Sequence, residues 1–123
     1  MEKIIELSGQ KITFRATLLT LLIYKQQTGR EYLADVAELR NIIKTDADGK
    51  PMQDADGKPI IDLSALDTKA MCGLAWAMAK TADGSIPPME EWLNQFPIMT
   101  ILTVLTELLP LMSAAMKADR KNA

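Results

Sequence analysis

The stretch from Ile98 to Met116 constrains this chain more than any other part of it. Its apolar residues are Ile98, Met99, Ile101, Leu102, Val104, Leu105, Leu108, Leu109, Leu111, Met112, Ala114, Ala115 and Met116. Thr100, Thr103, Glu107 and Pro110 recur at three- and four-residue steps, with Lys117 two turns further on, and leave only a narrow polar stripe. The spacing is helical, and a helix this apolar around its circumference is normally enclosed on most sides. A membrane span would meet the same need. Against it stand Glu107 in mid-segment, Pro110, the hydroxyls of Thr100, Thr103, Thr106 and Ser113, and a length near the lower limit of about 17 residues. No membrane is therefore expected, and protein must cover the helix. A chain of 123 residues has room for one domain with one core. Either its other helices wrap the last one, or some apolar surface meets another chain.

The remaining pattern supplies those helices. Ile4-Ile5-Glu6-Leu7 and Lys11-Ile12-Thr13-Phe14 are short β-branched-rich runs around Ser8-Gly9-Gln10, which predicts a β-hairpin over residues 3–14. An isolated hairpin is marginal in water, so it must lie on the helices or pair with another chain's edge. Thr17 opens a first helix over about 17–28 whose Leu18, Leu19, Leu21, Leu22, Ile23 and Tyr24 load most of its surface with apolar groups, and Gly29 suits a left-handed cap. A second helix over about 31–44 carries Leu33, Val36, Ala37, Leu39 or the stem of Arg40, and Ile43 as one stripe. A third, about 65–82, opens at Ser64 with Asp67 three residues on, and presents Ala70, Met71, Leu74, Ala75, Met78 and Ala79 with Trp76 as its large anchor. Pro87-Pro88 precedes a short fourth helix over about 89–96 that carries Glu90 and Glu91 in its first turn. Pro97 breaks or bends the chain before the last helix, about 98–117. The fold expected is mainly α: a compact helical domain of four to five helices with a short N-terminal β-hairpin, a single domain over 1–123.

Between residues 45 and 62 the helical pattern stops and the sequence repeats itself after eight residues, Asp46-Ala47-Asp48-Gly49-Lys50-Pro51 and then Asp54-Ala55-Asp56-Gly57-Lys58-Pro59. Alternating carboxylates before Gly suggest a calcium loop. That loop needs oxygens at positions one, three and five, Gly at six and Glu at twelve. Counted from Asp46 those late positions hold Lys50, Pro51 and Gly57, and from Asp54 they hold Lys58, Pro59 and Ala65. The pattern fails twice, so a flexible turn-rich loop or small hairpin is expected, with no metal.

Composition narrows the function classes. The chain contains no His, which removes the commonest general base and metal ligand together. Cys72 is the single cysteine, so it can form neither an internal disulfide nor a cysteine metal cluster, and it lacks the imidazole that usually activates a thiol. Its helical setting reads as packing. The acidic residues show no pair in a pocket-forming context, and no phosphate loop is present, so no enzyme activity and no cofactor are expected. The formal charge is −2, and the basic residues cluster only at Lys117, Arg120 and Lys121, where they complement a helix end, so no nucleic acid is expected. The N-terminus lacks a long apolar secretory segment, and a reducing cytoplasm is expected. Eight Met against two each of Trp, Tyr and Phe give a soft, adaptable apolar inventory that suits either core gaps or a partner surface.

Several segments, in order, resemble a known family. Phe14-Arg15-Ala16-Thr17, then Tyr24, Thr28-Gly29-Arg30-Glu31 and Leu33, are similar to the opening of the small tail assembly chaperones of long-tailed bacteriophages and prophages. Leu74-Ala75-Trp76-Ala77-Met78-Ala79-Lys80-Thr81-Ala82 resembles the family's tryptophan-centred segment, and Pro88-Met89-Glu90-Glu91-Trp92-Leu93 its acidic Trp-Leu segment before an apolar last helix. The resemblance runs from about Phe14 to Leu109, and the Asp-Gly-Lys-Pro repeat departs from it as an inserted loop. It implies a protein that binds the hydrophobic-rich tape measure protein in the bacterial host cytoplasm and keeps it soluble while the tail tube assembles. Such a protein is absent from the mature virion, and often has a longer frameshifted product. It implies no catalytic residues. A structural head–tail or tail component retained in the particle is the alternative, and a homo-oligomer is open. With that role in view, the partner surface is expected on the last helix through Leu102, Leu105, Leu109 and Met112, helped by Met89 and Trp92, because adaptable aliphatic faces bind with low sequence selectivity. On that expectation Leu105→Asp weakens binding and leaves the helical signal intact.

Overall fold

The computed structural model describes residues 2–57 and 60–122, with side chains through Met112. Two strands, β1 (Glu2–Leu7) and β2 (Gln10–Arg15), are followed by α1 (Leu18–Thr28), α2 (Tyr32–Arg40), α3 (Thr68–Ala82), α4 (Met89–Leu93) and α5 (Thr100–Asn122), with one 3₁₀ turn at Leu63–Ala65. The mainly helical fold with its N-terminal hairpin is the one the sequence predicts. The strands pair antiparallel from Glu2↔Arg15 to Leu7↔Gln10. Ser8 and Gly9 form a two-residue turn with φ of 50° and 79°, the left-handed pair that matches the twist of a hairpin. Strand alternation then puts Ile5, Leu7, Ile12 and Phe14 on one buried face. β2 lies on α3 and β1 on α5, so the hairpin is covered within its own chain.

α3 is the centre of the core. Of its residues from Ala70 to Ala79 all but Cys72 are buried. Its small side chains let neighbours approach: a Cβ at Gly73 would stand 3.0 Å from Cε1 of Tyr24 and 3.1 Å from Cγ2 of Thr28. Met71, Met78 and Met112 are fully buried and fill gaps among the helices. Among the described residues, no helix is long and apolar enough to cross a membrane.

Helix ends differ from the sequence reading where side chains choose another cap. Asp67, not Ser64, caps α3 by accepting the Ala70 N–H at 3.1 Å, while Ser64 sits in the 3₁₀ turn with its N–H on Asp62. α2 ends at Arg40, because the chain then turns so that Ile43 can pair with Ile61. Its inward stripe is Tyr32, Asp35, Val36 and Leu39, and Leu33 and Ala37 point to solvent. α4 stops at Leu93 and the chain turns through Pro97 before α5 opens at Thr100. Pro110 lies inside α5 on its exposed side.

The eight-residue repeat becomes a repeated structure. Asp46 Oδ1 accepts the Asp48 N–H and Asp54 Oδ1 the Asp56 N–H, each at 2.9 Å. Gly49 and Gly57 take φ of 79° and 77° and donate to the carbonyls of Asp46 and Asp54 at 3.0 Å. These carboxylates fold back on their own turns, a local bond that Asp favours. Three backbone bonds then close a ring: Lys44 N–H to Ile60 O, Ile60 N–H to Met52 O, and Met52 N–H to Lys44 O, at 2.8, 2.9 and 2.8 Å. The repeat thus bridges the end of α2 to the start of the 3₁₀ turn.

Asp67 also fixes a pH dependence. The Ala70 N–H first, and Arg30 after it, hold its carboxyl below the usual range. A carboxyl depressed in the folded state stabilises above its unfolded pKa, and that stabilisation is lost as pH falls through the folded value. Chemical denaturation at successive pH values below about 4 should therefore show a shallower loss for Asp67→Asn than for the parent chain.

Candidate functional site

The turn between α4 and α5 leaves an apolar groove. Trp76 Nε1–H donates to Pro87 O at 2.9 Å and Lys80 Nζ to Ile86 O at 2.6 Å, which ties the segment before α4 to α3. α4 then carries Trp92 inward, edge-on to Phe14 with ring centroids 6.5 Å apart and to Phe96 at 5.1 Å. Pro97 turns the chain away from this aromatic cluster. A cavity of about 330 Å³ opens between them, with Leu7, Cys72 and Ala75 among its lining residues, Trp92, Phe96, Ile101 and Val104 along it, and Ile98 at its mouth. Ile98 is 87% exposed and Met99 beside it is also exposed. Burial raises the pKa of the half-buried Cys72 thiol, so this residue lines the groove as a neutral apolar group rather than a reactive thiolate.

A second apolar surface lies on α1, whose amphipathicity is inverted. The residues it buries are Thr20 and Tyr24, while Leu18, Leu19 and Leu22 are 83%, 52% and 55% exposed. The inward choice follows from polar partners. The Thr20 and Thr81 hydroxyls hydrogen-bond at 2.8 Å, and the Tyr24 hydroxyl donates to Asp35 Oδ2 at 2.5 Å. Arg30 grips the same carboxylate through Nε (2.9 Å) and Nη2 (3.1 Å), and reaches Asp67 at 2.8 Å. Burial, and Asp35 after it, push the Tyr24 phenol well above its ordinary pKa, so it remains a proton donor. Leu18, Leu19, Leu21 and Leu22 surround a shallow concavity that ends at Lys25 and Glu31.

The surface expected from the sequence is corrected by these positions. Leu105, Leu109 and Met112 are buried, because the face of α5 that carries them packs against β1, α2 and α3. Trp92 is buried among Phe14 and Phe96. Leu102 and Met89 are half-buried and pack against the core. None of the six stands on an open surface, and of them only Trp92 lines the groove. The outward apolar residues include instead Leu18, Leu19 and Leu22 on α1 and Ile98 and Met99 before α5, besides Ile4, Leu33, Met52 and Leu63. The signal for the three leucines was present in the sequence as a first helix apolar on nearly every side. Among the described residues, no group of three or more acidic or thiol side chains is placed to hold a metal ion.

No protein-family model, curated protein or solved structure matches this chain.

Proposed function

We propose that this chain is a non-enzymatic tail assembly chaperone of a long-tailed bacteriophage or prophage. It binds an apolar helical segment of the tape measure protein and keeps that client soluble in the host cytoplasm. The observation that carries this reading is the groove between α3, α4 and the start of α5, lined almost wholly by apolar side chains and open at Ile98. An apolar groove of this kind accepts the apolar face of an amphipathic helix. Support also comes from where the family-like segments lie. The tryptophan-centred segment contributes Ala75 to the groove, and the acidic Trp-Leu segment contributes Trp92 and Leu93.

The test is co-expression with the tape measure protein of the same tail gene cluster. The client should be insoluble alone and soluble with this chain. Ile98→Asp places a carboxylate at the open mouth of the groove without touching the core, and should lower the soluble client about ten-fold, equivalent to 1.4 kcal/mol of binding. Unchanged rescue by this variant, with rescue lost in Leu22→Asp, would move the client site to α1. Mass spectrometry of purified particles separates the remaining alternative, since a chaperone is missing there and a retained tail component is present.

A further inference from the structure

We infer that the free edge of β2 takes up one further strand, an extended partner segment whose side chains alternate between acidic and apolar. This site lies apart from the groove and uses a different chemistry, main-chain hydrogen bonding. The sheet holds two strands, so β2 is an edge. The two-residue turn makes Leu7↔Gln10 a hydrogen-bonded pair, and Ile5↔Ile12 and Lys3↔Phe14 follow at alternate positions. The backbone groups of Lys11, Thr13 and Arg15 therefore point away from β1. The Arg15 carbonyl agrees, since it accepts the Thr20 hydroxyl at 3.1 Å. Among the described residues, nothing bonds the N–H or C=O of Lys11 or Thr13. That edge forms one wall of a cleft of about 560 Å³, which runs along β2 from Gln10 to Arg15. Asp83, Ile86 and Pro87, from the segment between α3 and α4, form the opposite wall, and Ile12 and Trp92 line the cleft as well. The opposite wall has no ladder to offer. Pro87 lacks an N–H and its carbonyl accepts Trp76 Nε1–H, while the Ile86 carbonyl accepts Lys80 Nζ and its N–H bonds Asp83 O. The cleft therefore completes a single ladder and stops there.

Side chains specify the occupant. Strand alternation turns Ile12 and Phe14 inward and leaves Lys11, Thr13 and Arg15 on the outer face. In an added antiparallel strand, the residues opposite Lys11 and Arg15 share that outer face, where carboxylates meet cations. Among the described residues Lys11 is exposed and carries no ion pair, and Arg15 is held by the exposed Glu2 at 3.0 Å, a bond that is cheap to share. The residues opposite Ile12 and Phe14 turn inward instead, toward Ile86, Pro87 and Trp92, and are apolar. Asp83 does not oppose the acidic positions strongly, because its Oδ1 is engaged by the Ser85 N–H and hydroxyl at 3.0 and 2.7 Å. The pattern that fits is Glu-Val-Thr-Val-Glu, with threonine opposite Thr13. A second copy of β2 is a poor occupant: antiparallel pairing centred on Thr13 sets Lys11 against Arg15, and like charges directly opposite destabilise. An uncharged apolar strand is disfavoured too, since a lysine on an edge blunts such pairing.

Fluorescence anisotropy of a dye-labelled Glu-Val-Thr-Val-Glu peptide, titrated with the full chain from about 1 μM to 1 mM, tests this. Saturable binding is expected, about ten-fold weaker for Lys-Val-Thr-Val-Lys, and Lys11→Glu should remove that preference. Main-chain pairing gives the sharper result. In the antiparallel ladder the N–H of the peptide's central Thr points at β2, and those of its Val residues point away. N-methylation of that Thr should weaken binding about ten-fold or more, and N-methylation of either Val by much less. In the protein, Thr13→Pro removes one outward N–H at an edge position that tolerates proline. It should weaken binding by a similar factor, with an unchanged circular dichroism spectrum. Exchange protection of the Lys11 and Thr13 amides should rise when the peptide is added. Should Thr13→Pro misfold, the two N-methylated peptides decide alone. An absence of binding up to about 1 mM, equal losses from both N-methylations, or protection confined to other amides overturns the inference. So does protection of Lys11 and Thr13 that grows with protein concentration and no peptide, which would assign the edge to a second copy.

Discussion

A Leu105→Asp variant is expected to lose its cooperative unfolding transition and most of its helical circular dichroism. Leu105 has 0% exposure and sits in the cluster with Leu108, Leu109 and Met112. Removing the leucine contacts alone costs about 2–5 kcal/mol. The carboxylate adds several more, since no described cation reaches that position and burying an unpaired charge is costly. A domain of this size holds only about 5–15 kcal/mol in total. The outcome is therefore unfolding, not a smooth loss of partner binding with the helices preserved. Leu22→Asp provides the contrast. That side chain is on the outer face of α1, and its replacement should shift stability by no more than about 0.5 kcal/mol. Urea titration of the two variants side by side reads the difference. A folded, cooperative Leu105→Asp would mean that α5 presents a different face to the core.

The same two residues show how far the sequence carries. Periodicity located the last helix, and two β-branched-rich runs around a glycine turn located the hairpin, because both signals are local properties of the chain. The Ser8-Gly9 turn was legible for that reason, whereas the inward face of Ile5, Leu7, Ile12 and Phe14 was not named from the sequence. Periodicity failed to choose a face wherever a helix is apolar on nearly every side. On α5 it could not say that the Leu105–Leu109–Met112 face meets β1, α2 and α3, since that depends on elements distant in sequence. On α1 it named no face, because six apolar residues from Leu18 to Tyr24 leave one threonine as the only polar mark among them. The packing turns instead on Tyr24 and Thr20, which bury polar atoms only because Asp35 and Thr81 receive them. The groove was illegible for a related reason. It is the space left where Pro97 turns the chain between Trp92 and Ile101, and its lining residues come from β1, α3, α4 and α5. The helix boundaries at Asp67 and Arg40 shifted by local competition among caps and turns, which leaves the core unaltered.

Asp35→Ala should cause the second large loss, about 2–4 kcal/mol in urea titration, through polar rather than apolar contacts. Asp35 is 7% exposed and receives both the Tyr24 hydroxyl and the Arg30 guanidinium. Without it the fully buried Tyr24 ring keeps a hydroxyl that has lost its carboxylate acceptor, and a buried hydroxyl without a partner costs about 1–3 kcal/mol. Arg30 is partly open to water and still reaches Asp67, so its share of the loss is the smaller one. A double-mutant cycle tests this division. In a Tyr24→Phe background the donor is already gone, and Asp35→Ala should then destabilise less by about 1–2 kcal/mol, well above the additivity error for independent sites. Equal losses in both backgrounds would place the cost on Arg30 alone. The clamp also decides which side of α1 meets solvent. Tyr24 and Thr20 are its inward anchors, and only with both satisfied is the leucine side the cheaper one to leave outside. Loosening it should let α1 rotate its leucines toward α3, where Gly73 offers close approach.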